Sequence, residues 1–269
     1  MTPRRAPPHT TAPWGWAWLG AGLGGLVALC FWAPAHWLAW GVAQATQDRV
    51  VLQSPRGTVW SGSAQLVLSG GQGSRDQQTL PGRIQWAMAP GWLSLNLRLN
   101  ADCCMAEGPA QVRVQAALSK VHVQVQAPRS QLPAALLSGL GAPWNTLQPE
   151  GQLHLRTEAL GLQWAAGRLQ VQGLVALEAH NMSSRLSPLK PMGSYRIQLS
   201  GTPEGSPTPE LKLSTLQGPL LLTGQGQWVG ARLRFNGEAS ADVGSERALS
   251  NLLNIIGRRQ GARSLLSLG

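Results

Sequence analysis

Charge is scarce in this sequence. Asp, Glu, Lys and Arg make up 13% of its 269 residues, about half of the roughly 25% typical of a globular domain. Acids are scarcest, with 12 Asp and Glu against 22 Lys and Arg and a formal charge of +10. There are only 2 Phe and 1 Tyr beside 12 Trp. The 3 Cys are too few and too unevenly placed for a disulfide framework. No HExxH, GxSxG, CxxC or phosphate-binding glycine loop occurs anywhere in the chain, which removes the zinc-hydrolase, serine-hydrolase, thiol-redox and nucleotide-binding classes as motif-level readings. No second stretch after the amino-terminal one is long and apolar enough to span a bilayer.

The basic balance still needs an explanation. Nucleic-acid binders cluster their cations, but here the Arg residues are scattered singly along alternating runs, apart from Arg4-Arg5, Arg258-Arg259 and the nearby Arg263. That pattern argues against nucleic acid and for a membrane neighbourhood. Trp14 to Trp32 reads WGWAWLGAGLGGLVALCFW and carries no charge. Trp14, Trp16 and Trp18 at one end and Trp32, Trp37 and Trp40 at the other resemble two interfacial belts. Pro34 falls near the far end, where a helix break costs little. Arg4 and Arg5 precede the span without an acid, so the positive-inside rule places residues 1–13 in the cytoplasm as a tail, 14–40 as a transmembrane helix, and 41–269 across the membrane as one periplasmic domain. A cleaved signal peptide is the rival reading. It is disfavoured by the long apolar core, although Ala43 to Ala45 (AQA) is a passable cleavage site.

Beyond residue 50 the governing signal has period 2. The runs are LSLNLRL (Leu93 to Leu99), QVRVQ (Gln111 to Gln115), VHVQVQ (Val121 to Gln126), LHLRT (Leu153 to Thr157), RLQVQ (Arg168 to Gln172), YRIQLS (Tyr195 to Ser200), LKLS (Leu211 to Ser214) and RLRF (Arg232 to Phe235). Such alternation gives one apolar and one wet face, as in antiparallel sheets. Glycines and prolines fall between the runs at hairpin spacing, and roughly a dozen strands fit the length. The expected fold is therefore mainly β: a single amino-terminal transmembrane helix, then a curved antiparallel β-sheet domain (a roll or open half-barrel) with two short amphipathic helices. The first helix is expected from Ser130 as its cap through Leu132, Leu136, Leu137 and Leu140 to Gly141, with Pro133 in its first turn. The second is expected from Ser245 through Leu249, Leu252, Leu253 and Ile256 to Gly257. Between the first helix and the next strand lies GAPWNTLQPEGQLHL (Gly141 to Leu155). Gly141, Pro143, Pro149 and the turn-formers Asn145 and Thr146 mark it as a structural joint, with Trp144 as its buried anchor.

Chemistry-bearing residues are sparse. His9 lies in the tail, His36 at the membrane edge, and His122, His154 and His180 far apart in sequence. His122 and His154 read as solvated strand residues, and His154 with Glu158 has a helical spacing that builds no metal site on a strand. Cys30 lies in the span, and Cys103 and Cys104 read as two separate thiols, because bonding adjacent residues strains the backbone. No catalytic, cofactor-binding or metal site is assigned, and no cofactor is expected.

Seven blocks stand out: RGTVWSGSAQL (Arg56 to Leu66), LPGRIQW (Leu80 to Trp86), GLGAPWNTLQPEGQLHL (Gly139 to Leu155), LSPLKPMGSYRIQL (Leu186 to Leu199), LSTLQGPLLLTGQGQW (Leu213 to Trp228), RLRFNGEASA (Arg232 to Ala241) and LLNIIGRRQG (Leu252 to Gly261). Together they resemble a known family, type II secretion system protein N (general secretion pathway protein N). They run in order through nearly all of the chain after the span, and the paired cysteines are what fits that pattern least. The resemblance implies a non-catalytic accessory component of the bacterial inner membrane that supports export of folded periplasmic proteins across the outer membrane. Its implied partners are other type II secretion subunits and the membrane, and an open sheet edge could add a strand to one of them. Periodicity alone leaves an alternative: a membrane-tethered β-groove that binds or transfers lipid along the apolar face.

Overall fold

The computed structural model describes residues 14–105, 107–117, 120–165, 168–201, 208–229 and 232–269. The basic tail with Arg4, Arg5 and His9 lies outside them, as do the side chains at 15, 16, 26 and 30. Two helices come first, α1 (Trp14–Phe31) and α2 (Ala35–Ala45). The chain then forms β1 (Val50–Gly57), β2 (Ser61–Ser69), β3 (Gln77–Thr79), β4 (Ile84–Gly91), β5 (Ser94–Ala101), β6 (Ala110–Ala117), β7 (Lys120–Gln126) and β8 (Ser130–Pro133). A 3-10 helix (Ala134–Leu140) and the single turn α3 (Trp144–Leu147) lead to the long pair β9 (Glu150–Ala165) and β10 (Arg168–Ser183). After them come β11 (Gly193–Gly201), β12 (Glu210–Gln217), β13 (Leu220–Val229), β14 (Arg232–Ala241), α4 (Glu246–Ile256), β15 (Arg258–Gln260) and β16 (Arg263–Leu268).

The 16 strands form one antiparallel sheet in the order β1-β2-β4-β5-β6-β7-β9-β10-β11-β12-β13-β14-β16-β15, with β3 off this path on β2 and β8 off it on β9. The sheet is open, with β1 and β15 at its two sides. Nearly every connection is a hairpin to the next strand, as the alternating runs require. Register puts the apolar members of each run on one face: Met88, Leu97, Val112 and Val125 line up across four strands, and Ala87, Arg98, Gln111 and Gln126 line up on the other. In β9 the apolar parity switches between Leu155 and Leu160. A bulge at Ala159 (φ 45) opposite Gly173 (φ 83) absorbs the extra residue, so the apolar face stays continuous along a strand of 16 residues.

The sheet splits at two strands. β2 pairs with β4 near its start and with β3 near its end, and β9 pairs with β7 near its end and with β8 near its start. The 3-10 helix fills the gap between β3 and β8. It approaches so closely that a Cβ on Gly139 would lie 2.5 Å from the Leu68 carbonyl oxygen and 2.7 Å from the Gln78 nitrogen.

The two ends of the strands differ. The chain enters the sheet at one end, where Val59 N donates to Ala33 O and Pro34 bridges Thr58. The strand pairs β1 and β2, β4 and β5, β6 and β7, β9 and β10, β11 and β12, and β13 and β14 meet with their adjoining ends at this entry end. The opposite, capped end carries the 3-10 helix, α3, α4 and the 184–192 loop. One buried cluster joins Met192, Tyr195, Leu220 and Ala239 to Leu249, Leu252 and Leu253 of α4. A second gathers Leu80, Ala101, Cys104 and Leu136. A third forms where α2 runs along β1 and β2, with Ala35, Leu52, Ala64 and Trp86 at its centre.

Several expectations need correction. The helix expected over 130–141 is a strand followed by a 3-10 helix. Ser130 caps nothing there; Pro133 fixes an extended backbone at the junction, and pairing with β9 outweighs local helix preference. Ala134, Leu136 and Gly139 are its buried positions. The second helix matches its expected span and buries Leu249, Leu252 and Leu253, although Ser245 makes no side-chain cap bond. Trp144 is not a buried anchor: it is 36% exposed, because the single turn of α3 points it outward. The helical pattern over 14–40 divides at residues 32–34, and its second part packs on the sheet through Leu38, Ala39 and Val42. Residues 17–25 of α1 are exposed all round. Among the described residues no helix is long and apolar enough to cross a membrane.

Candidate functional site

The wet face of the sheet is where side chains of chemical interest collect. On its first half the sequence's scattered arginines come together. Arg98 sits between Ala87 of β4 and Gln111 of β6, and Arg113 is opposite Asn96, to whose Oδ1 its Nε donates at 2.8 Å. They border a groove of about 400 Å³ floored by Ala87 and Ala89 and flanked by Gln124 and Gln126. A second groove shares Ala87 and Arg98 and adds Arg56 and Arg83. Arg83 is held in place by donating to Ser54 O at 2.7 Å and Ser63 O at 2.9 Å. Neither groove is lined by a carboxylate among the described residues. Guanidinium groups above small Ala side chains and between amide side chains suit carboxylates, which they bind as a planar fork. Reading the alternating runs as neighbouring strands with matched parity would have placed Arg98 and Arg113 on one face. Taken one run at a time, they look isolated.

The second half of the wet face holds a different cluster. His154 and His180 are 26 residues apart but lie on adjacent strands, with ring centroids 4.6 Å apart. His180 Nε2 lies 3.0 Å from Glu178 Oε2, and Arg196 of β11 donates to Glu178 Oε1 at 2.9 Å. Burial raises the Glu178 carboxyl, but the hydrogen bonds from His180 and Arg196 and their charges outweigh it and hold the group below the ordinary carboxylate value. The long β9–β10 pairing thus brings together two histidines that lie far apart in sequence. His122 stays apart on β7. Glu158 pairs with Arg156 at 2.7 Å on an exposed strand rather than with His154. Among the described residues no three His, Cys, Asp or Glu are arranged to hold a metal ion. The cluster is a cross-strand ion network.

The joint from Gly141 to Leu155 ties two parts of the sheet together. Asn145 Nδ2 donates to Asp76 Oδ2 at 2.9 Å, and the Leu147 carbonyl accepts from Ser184 Oγ at 2.6 Å. Gly151, the second residue of β9, has φ 133, and a Cβ there would lie 2.7 Å from His180 O. The structure also joins Cys103 and Cys104 in a disulfide, contrary to the expectation of separate thiols. Cys104 N and Met105 N both donate to Ala101 O, and this tight turn brings the two sulfurs to one side. Cys104 is buried with Leu80 and Leu136.

The sheet's open sides are guarded. β15 is three residues long and carries Arg258 and Arg259. β1 is interrupted at Ser54 (φ 47) and Pro55, where its register slips. Short, charged or bulged edges resist addition of another strand, so the grooves of the wet face offer a partner more than the edges do.

Residues 48–265 match the family of type II secretion system (T2SS) protein N. No curated protein and no solved structure matches the chain. The match covers most of the 269 residues, from before β1 into β16, and the chain belongs to this family of type II secretion components.

Proposed function

We propose that this protein is a non-catalytic accessory subunit of type II secretion that works by contact. In this reading α1 anchors it in the inner membrane, residues 1–13 lie in the cytoplasm, and the sheet domain lies in the periplasm. The family match carries the proposal. Support for the anchor comes from α1, a charge-free helix whose residues 17–25 are exposed on every side: a helix apolar all round needs an apolar surrounding. Because α2 packs on the sheet, the anchor is confined to α1. The contact surface is the arginine-lined groove around Arg98 and Arg113, and its partner is an acidic segment of another subunit.

Deleting the gene should leave secreted enzymes folded but retained in the periplasm. A reporter comparison checks the topology: alkaline phosphatase fused after Gly269 should be active, and a fluorescent protein that matures only in the cytoplasm should be dark. A second reading, lipid carriage, draws on exposed apolar side chains on the uncovered part of the apolar face, including Val121, Trp164, Ile197 and Leu268. It predicts acyl chains that co-purify with the protein, and normal secretion with altered outer-membrane lipids after deletion. That outcome would replace the contact reading.

A further inference from the structure

The β4–β5 hairpin breaks a local rule. Gly91 pairs with Ser94, so its loop has two residues, Trp92 and Leu93. Two-residue loops favour Asn-Gly, Asp-Gly or Gly-first pairs, because a residue there must take a left-handed backbone. Here Leu93 takes it, at φ 53. The side chains gain no burial in exchange: Trp92 is 95% exposed and Leu93 69%. A strained, exposed apolar pair at a tip points to a surface that it meets.

The tip's position identifies that surface. Met88 N donates to Trp60 O, so the hairpin is level with the β1–β2 turn four residues before its tip. It therefore reaches about 13 Å beyond that turn, at the strand rise per residue. The β1–β2 turn is where the chain arrives from α1, tied through Ala33 and Pro34. Beside the tip, Lys120 and the Ala116–Ala117 strand end line the same shallow depression as Trp92 and Leu93. Trp164, 53% exposed, lies one residue before the end of β9. An indole beside a leucine with a lysine behind them suits the bilayer interface, where the ring sits among headgroups and the ammonium meets anionic phosphates.

We propose that the Trp92–Leu93 tip is a second membrane contact, inserted among the headgroups of the bilayer that α1 enters. With two contacts the sheet cannot swivel freely about the 32–34 linker, and its wet face is held at a fixed attitude to the membrane. The proposal rests on the anchor reading of α1.

The test uses the full chain with Cys30→Ser, reconstituted in vesicles of phosphatidylethanolamine and phosphatidylglycerol. Single cysteines at Trp92, at Leu23 within α1, and at Val243 on the capped end each carry an environment-sensitive fluorophore. Nitroxide-labelled phospholipids quench from within the bilayer and iodide from water. The Trp92→Cys label should be quenched by shallow nitroxides, lose most of its iodide quenching and emit to the blue of the Val243→Cys label. A Trp92→Cys label as open to iodide as Val243→Cys, with Leu23→Cys quenched by deep nitroxides, overturns the tip contact and leaves the anchor standing. Protection from iodide without nitroxide quenching means a protein contact and also overturns it. If the Leu23→Cys label escapes the deep nitroxides, the anchor reading fails. The two-contact proposal falls with it, whatever the Trp92→Cys label shows.

Discussion

The capped end and the entry end of this sheet are built from the same alternating strands, yet they meet their surroundings in opposite ways. At the capped end the apolar face is closed by α4, α3 and the 3-10 helix, and Leu249 and Leu253 are completely buried. At the entry end the tip of the β4–β5 hairpin and the end of β9 leave Trp92, Leu93 and Trp164 in the open. The difference teaches where stability lies and where function can lie. A residue packed on all sides contributes to folding, whereas an apolar residue held outward at a tip contributes nothing to folding and is free to meet another surface.

Single substitutions can break or sharpen this contrast. Leu253→Ala at the capped end should lose about 3 kcal/mol of unfolding free energy, the usual scale for a buried leucine, as read by urea unfolding of the full chain in detergent. A loss under ~1 kcal/mol would mean that α4 is loosely docked. Gly151→Val should cost about 2 kcal/mol, since φ 133 strains any L side chain and the new Cβ meets His180 O. Glu178→Gln, on the wet face, should cost under about 1 kcal/mol, as half-exposed ion pairs do. Its pH dependence has a definite sign. The folded carboxyl lies below the ordinary value of 4.5, so its contribution is complete above that value and disappears as pH falls through the folded value. The gap between wild type and Glu178→Gln should therefore close in acid, and a gap that widens would contradict the assignment. Trp92→Ala should change stability by less than ~0.5 kcal/mol. A larger loss would show that the tip is packed after all, and the contrast between the ends would disappear.

The sheet was legible in the sequence because period 2 is a local property. Each alternating run became a strand, and the 245–257 helix was equally plain. What escaped depends on neighbours distant in sequence. Pairing with β9 converts the start of 130–141 into a strand, although its leucines are spaced for a helix. A bulge at Ala159 hides the continuity of β9, because its parity changes in mid-strand. His154 and His180, like Arg98 and Arg113, acquire partners only through register. The outward Trp144 followed from treating a large aromatic in a joint as an anchor, when the joint is held instead by polar bonds to Asp76 and Ser184.

The claim that this subunit serves secretion by contact through its wet face is tested most directly by charge reversal in the groove. In a deletion strain complemented with the full chain carrying Arg98→Glu and Arg113→Glu, secreted enzyme in the medium is measured against enzyme retained in the periplasm. Both substitutions lie on the open face, so the protein should accumulate normally and remain in the membrane fraction. The account predicts that secretion falls toward the level of the deletion strain. Secretion at the wild-type level, in a strain where the deletion itself abolishes it, would contradict the account.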